Sequence, residues 1–281
     1  MNTTLLPQQI AEYRRDGYLI LRDFLDPSEV AALKQQVAQA AQSMGAAKLG
    51  GERADRAKEG DGFYDRVFFQ RVNLWRINPF IKRFFTDPAL GRVLCDLEGI
   101  DGVRLWHDQT LQKAPWANPT AYHLDNPYWS FTSSNALSIW IALDEATIQN
   151  GCLSYIPGSH RICTQQRNAD IGVEFGSLFK QYPELAGIEP AVAPMRPGDA
   201  GIHNGLTAHG AGPNNTPAWR RAMTCAYMPE GSTYNGQLNV LPESYAQGLQ
   251  IGDPLDEDSI MPLAFSRRTP VAEYAHHESA S

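Results

Sequence analysis

The sequence predicts a mainly β protein with flanking helices, built as a double-stranded β-helix (jelly-roll) barrel. Three observations carry that expectation. After Asp101 the chain breaks into short apolar runs separated by Gly, Pro and Asn, the pattern of a sandwich or barrel. Before Asp101 the periodicity is largely helical. His123 and His209, two histidines suited to one site, stand 86 residues apart and need strands that close on one another to meet. With 281 residues, 43% hydrophobic and 20% charged, the chain can bury a core for one such domain.

Pro7 to Asp16 reads as a helix with Ile10 and Tyr13 on one face, stopped by Gly17 and followed by a strand at Tyr18 to Leu21. A second helix starts at Asp26, with Asp26 as N-cap, Pro27 in the first turn, Glu29 reaching back, and Val30, Leu33 and Val37 as the buried stripe. Ser43 to Gly62, rich in glycine and charge, predicts a mobile loop. Asp87 and Pro88 start another helix that runs to about Leu97. Residues 1–100 are thus expected as a mostly helical part packed on the barrel. Residues 101–230 form the barrel core, with a lid insert at about 160–191 carrying Phe175, Leu178, Phe179, Tyr182 and Leu185. Residues 231–281 make a C-terminal extension and tail, and the whole is one domain.

His123 and Asp125 make the chemistry-bearing pair. Residues two apart on a strand share a face, so an imidazole and a carboxylate converge on one point. A distant histidine completes a face of two nitrogens and one carboxylate, a donor set that suits non-haem Fe(II) and leaves positions open. His203 and His209 both qualify as that third donor. His107 is followed directly by Asp108 and cannot chelate as a pair, because adjacent strand residues diverge. His160 closes a Pro-Gly-Ser-His turn and reads as structural, and the His276/Glu278 pair sits in a terminal tail. Arg220 and Arg221 also face opposite ways on a strand, so one of them can point inward and meet a carboxylate in a bidentate fork.

The ordered set of His123-Leu-Asp125, Ala136 to Leu143, Asn150 to His160, Arg196-Pro-Gly-Asp199, His209 and Arg220 resembles the phytanoyl-CoA dioxygenase family of Fe(II)- and 2-oxoglutarate-dependent oxygenases. The resemblance covers residues 8 to 228. It implies His123, Asp125 and His209 as iron ligands and Arg220, eleven residues after His209, as the grip on the far carboxylate of 2-oxoglutarate. It also implies Lys113, Gln109 and Trp140 near the co-substrate, although Trp140 reads equally as a core tryptophan. Many relatives carry serine where this chain has Ala211, so a hydroxyl contact to the co-substrate is missing there. The implied cofactors are Fe(II), 2-oxoglutarate and dioxygen, and the implied outcome is oxidation of an unactivated C–H bond of a small metabolite, most often by hydroxylation, in natural-product metabolism.

For the substrate, Tyr128 and Trp129 follow the metal pair, and Phe63, Tyr64, Phe68, Phe69, Trp75 and Arg76 form an aromatic-rich segment. Aromatic walls with Arg76 as an anchor suit a compact, cyclic or aromatic molecule with an acid group, while helix-to-barrel packing explains the same residues. A net charge of −7 disfavours nucleic acid and the phosphates of an acyl-CoA. No run of about 18 apolar residues appears, and Met1 to Pro7 lacks a leader pattern. Cys95, Cys152, Cys163 and Cys225 have the spacing of reduced thiols. A cytoplasmic enzyme, monomer or homodimer, with a small-molecule substrate is expected. Two other readings stay open: a cupin-like metal enzyme without 2-oxoglutarate, and a non-catalytic binding protein on the same fold.

Overall fold

Two antiparallel sheets face one another in the computed structural model, which describes residues 1–50, 67–167 and 176–268. In chain order the elements are α1 (Pro7–Asp16), β1 (Tyr18–Leu21), α2 (Pro27–Ser43), β2 (Phe69–Val72), α3 (Pro79–Phe85), α4 (Pro88–Glu98), β3 (Gly102–Lys113), β4 (Thr120–His123), β5 (Leu137–Ala142), β6 (Leu153–Tyr155), α5 (Ser177–Gln181), β7 (Ala191–Ala193), β8 (Ala200–Asn204), β9 (His209–Ala211), β10 (Arg220–Pro229), α6 (Glu243–Ala246) and β11 (Leu263–Ser266). The large sheet runs β1-β8-β5-β10-β3-β11, with β2 also on β3, and the small sheet runs β4-β9-β6-β7.

Local chemistry sets the helix ends. Gly17, with φ of 81°, ends α1 in a left-handed turn that favours glycine. At α2 the Asp26 carboxylate accepts from the N–H groups of Ser28 and Glu29, and Glu29 accepts from Asp26 N–H at 3.0 Å. The helix α3, absent from the sequence expectations, starts the same way: Asn78 accepts from Ile81 N–H, with Pro79 in the first turn. Its seven residues are too few for a clear period.

Alternation along the large sheet divides its two faces. On β10, Met223, Cys225 and Tyr227 join the core beneath the helices with Leu33, Phe85 and Leu94, while Ala222, Thr224 and Ala226 face the small sheet. The register of β10 on β3 shifts between Ala226 and Tyr227, leaving Trp106 as an extra residue. Trp106 and His107 therefore both turn inward, Trp106 onto Phe131 and His107 onto the central cavity.

Two regions differ from expectation. The insert expected as a lid buries Leu178, Tyr182 and Leu185 against Leu124, Ile156, Leu206 and Ala208, behind the small sheet. Three large apolar side chains find a packed surface there, so the described part of the insert extends the core and lies off the cavity wall; residues 168–175, including Phe175, lie outside the described residues. The C-terminal extension is part of the fold proper: Tyr234, Leu241, Leu255 and Met261 pack on Trp106, Trp129 and Phe131. Most of the expected loop, with Phe63 and Tyr64 after it, falls in residues 51–66, and His276 and Glu278 in 269–281, all outside the described residues.

Candidate active site

Strand pairing brings His123 and His209 together, because the two are direct partners on β4 and β9. Their ring centroids are 4.2 Å apart. Each Nδ1 meets a carbonyl two residues back, Ala121 O at 2.8 Å for His123 and Thr207 O at 3.0 Å for His209. A carbonyl only accepts, so the proton sits on Nδ1 and each Nε2 keeps its lone pair for the space between the rings. Burial pushes both imidazoles down to about 4, with His209 adding to the effect on His123 and His203 to that on His209. Both are neutral near pH 7, the form that binds a metal.

Asp125 joins them by a route different from the one expected. β4 ends at His123, and Asp125 opens a short turn with helical φ and ψ of −77° and −45°. The N–H groups of Asp125 and Asn126 donate to Gly205 O at 3.1 and 2.9 Å, so a turn pinned to the β8–β9 connection delivers the carboxylate. Its Oδ1 lies 3.7 Å from His123 Nε2 and 3.8 Å from His209 Nε2, and one ligand atom from each of the three residues falls within 4.8 Å of the others. Its Oδ2 accepts from Ser138 Oγ at 2.9 Å and meets His203 Nε2 at 3.2 Å. Burial favours the protonated acid, but His209, His203 and His123 outweigh it and hold the carboxyl well below its ordinary range. The rival donor His203 thus stands behind Asp125. The donor set and the free Nε2 lone pairs fit Fe(II).

A cavity of about 220 Å³ connects this cluster to Arg220. Arg220 is 1% exposed, and its Nε and Nη1 have no hydrogen-bond partner among the described residues. Burial lowers its pKa to about 10, which leaves it charged near neutrality. Trp140 and Phe68 flank the guanidinium at 5.3 and 5.8 Å. Arg221, on the opposite face, is bound to Asp144 at 2.7 Å. A dicarboxylate matches such a buried, unmatched cation. Gln109 and Trp140 line the cavity, and Gln109 accepts from Gln70 at 2.5 Å. Lys113 is off the cavity wall: it pairs with Arg220 across the ladder and donates to Asn118 O at 2.6 Å, its pKa pushed down to about 7 by burial and then by Arg220.

Of the substrate candidates, Tyr128, Trp129 and Phe68 line the cavity. Trp75 and Arg76 do not. Trp75 is buried in the core beneath the helices, with Arg76 over its ring at 4.8 Å, because Asp108 accepts from the N–H groups of Leu74 and Trp75 and ties that turn to the outer face of β3. Phe69 also packs on that core. Sequence reasoning passed over Thr120, Ser138, Thr224, Asn239 and Val240, all on the cavity wall, where His107, set aside as a chelator, also lies. Ser138 was within reach, two residues before Trp140 on one strand. Thr120 is the direct partner of Ala211, and its buried Oγ1 has no partner among the described residues.

The sequence profile of the phytanoyl-CoA dioxygenase (PhyH) family matches residues 13–222. The chain belongs to the phytanoyl-CoA dioxygenase family. Within reach of this family member is the methylphosphonate hydroxylase of Gimesia maris, 26% identical over 253 residues, covering 88% of this chain and 90% of the relative. The epimerase SnoN, solved in complex with Fe3+, alpha ketoglutarate and nogalamycin RO, aligns at a TM-score of 0.73 and 27% identity, covering 92% of this chain and 97% of its own. The carbocyclase SnoK from nogalamycin biosynthesis shares the fold at a TM-score of 0.76 and 24% identity, covering 92% and 96%. This phytanoyl-CoA dioxygenase family protein is an oxidoreductase, a dioxygenase of the Fe(II)- and 2-oxoglutarate-dependent class, on a jelly-roll fold. None of its described helices is long and apolar enough to cross a membrane.

Proposed function

We propose that His123, Asp125 and His209 hold Fe(II), that Arg220 anchors the far carboxylate of 2-oxoglutarate, and that the remaining space takes a compact free metabolite whose C–H bond is hydroxylated. The observation that carries this reading is that a metal-competent triad and a buried guanidinium whose Nε and Nη1 have no hydrogen-bond partner among the described residues line one cavity. Bound iron with its co-substrate supplies the oxidising power. The chain supplies everything else. The Nδ1–H bonds to Ala121 and Thr207 fix both imidazole planes. The Thr120 hydroxyl, opposite Ala211, offers the co-substrate carboxylate a hydrogen bond from β4, and Trp140 and Phe68 shield the ion pair from water. Lys113 acts from behind Arg220, and Gln109 borders both co-substrate and substrate.

The substrate lies between Tyr128, Trp129, His107, Thr224, Asn239 and Val240. Its small space supports a compact molecule and disfavours an acyl-CoA or a macromolecule. The hydroxylase and epimerase relatives support a small-metabolite reaction, and the latter supports natural-product chemistry. Four buried cysteines, none bonded to another, support work in the cytoplasm. The test is anaerobic iron titration followed by succinate measurement in air. The unaltered protein takes up one Fe(II) and releases succinate from 2-oxoglutarate; His209→Ala does neither, while His203→Ala keeps measurable iron binding. Iron uptake without any succinate would favour the cupin-like reading without 2-oxoglutarate.

A further inference from the structure

Asp125 offers its two oxygens to different neighbours. Oδ1 faces the Nε2 atoms of His123 and His209, whereas Oδ2 is engaged by Ser138 and His203. Ser138 and His203 are themselves direct partners on β5 and β8, so one rung of the large sheet presents two donors side by side to one oxygen. We propose that Ser138 and His203 are positioning residues that lock Asp125 as a one-oxygen ligand of the metal, an inference that rests on the iron reading above.

The lock follows from satisfaction of buried groups. Turning Oδ2 toward the metal would strip both donors of their acceptor in a site where Ser138 is 5% and His203 3% exposed, and unmatched buried donors are costly. The consequence is a matter of coordination number. On a six-coordinate ion, two imidazoles, a chelating carboxylate and a chelating co-substrate would fill every position, whereas a one-oxygen carboxylate would leave one free for dioxygen. The lock also explains why His203 is no ligand, although its ring centroid is only 4.3 Å from that of His209. To donate to Oδ2 it must carry its proton on Nε2, the tautomer opposite to that of His123 and His209. Its Nδ1, which then needs no acceptor, is buried with no partner among the described residues.

The test titrates Fe(II) anaerobically into the full-length protein with 2-oxoglutarate present and follows the visible charge-transfer absorption of the iron chelate, which needs no turnover. Ser138→Ala and His203→Leu each weaken iron binding by roughly 10- to 100-fold. His203→Gln, whose amide N–H reaches the place of Nε2, restores affinity close to that of the unaltered protein; His203→Asn, too short to reach, does not. Unchanged affinity in Ser138→Ala and His203→Leu overturns the lock, and so does a His203→Gln variant as weak as His203→Leu. Should His203→Leu fail to fold, Ser138→Ala, which removes a single oxygen, decides the matter. An unaltered protein that takes up no iron overturns the iron reading itself, a result distinct from normal uptake that is indifferent to both donors.

Discussion

Arg220 and Arg221 share a side chain and a strand, and the pleat gives them opposite surroundings: one buried, its Nε and Nη1 without a hydrogen-bond partner among the described residues, the other at the surface on Asp144. Truncating one member of a buried ion pair costs about 3–5 kcal/mol. Arg220→Ala is therefore expected to raise the KM for 2-oxoglutarate by about two to four orders of magnitude. Arg221→Ala should change it little, and equal effects in steady-state kinetics would contradict the assignment. The buried histidines give a second expectation. Burial holds His107, His123 and His209 down at about 4, while in an unfolded chain they titrate near 6.5. Between those values the unfolded chain binds more protons, so stability rises with pH across the window and is lost as pH falls from about 6.5 to 4. The Tm of metal-free protein measured across that range should drop steadily; a flat profile would mean that these imidazoles are solvated. At this scale the sequence was most legible where residue type alone carries chemistry. His123, Asp125, His209 and Arg220 all reach the cavity, but the route by which Asp125 arrives, through a turn held by Gly205, lay in a contact between segments about 80 residues apart.

Among the elements, those announced by capping residues were foreseeable because their signal is local. Asp26 at α2 shows what such a signal is worth. Its side chain satisfies two N–H groups, so Asp26→Ala should cost about 1 kcal/mol, read as a lower denaturant midpoint at unchanged slope. Gly17 gives a sharper case. A Cβ there would meet the His160 ring and the Thr207 hydroxyl, on a backbone already at positive φ, so Gly17→Ala should destabilise more than Asp26→Ala in the same assay. His160 thus has the structural place its turn implied. The insert shows the limit of local patterns. Its aromatic and leucine residues announce burial but not a partner, and Leu124, Ile156 and Leu206 behind the small sheet supply that partner. Trp75 misled for the same reason: an aromatic-rich segment announces burial but not a partner, and Trp75 packs on the core beneath the helices once Asp108 fixes its turn.

For the molecule as a whole, the jelly-roll was legible from strand rhythm, whereas the wall built by residues 231–268 was not, because Tyr234, Leu241, Leu255 and Met261 are spaced too widely to show a period. Ending the chain after Pro229 should expose Trp106, Trp129 and Phe131 and remove Asn239 and Val240 from the cavity. The shortened protein is expected to bind a hydrophobic dye and to lose a cooperative thermal transition; a sharp transition near the parent Tm would show that the wall is dispensable. The position of Asp125 between the sheets carries one more consequence. Its chain comes off β4 of the small sheet, and its Oδ2 is held by β5 and β8 of the large one. An ion on Oδ1 then acts as a staple across the sandwich, and mass action ties folding to metal supply. At a free concentration of 100 times its dissociation constant, such an ion adds about 2.7 kcal/mol to the folded state. Anaerobic melting with increasing Fe(II) should therefore raise Tm in the unaltered protein and leave that of Asp125→Ala where it was, so that iron starvation lowers the stability of this protein as well as idling it.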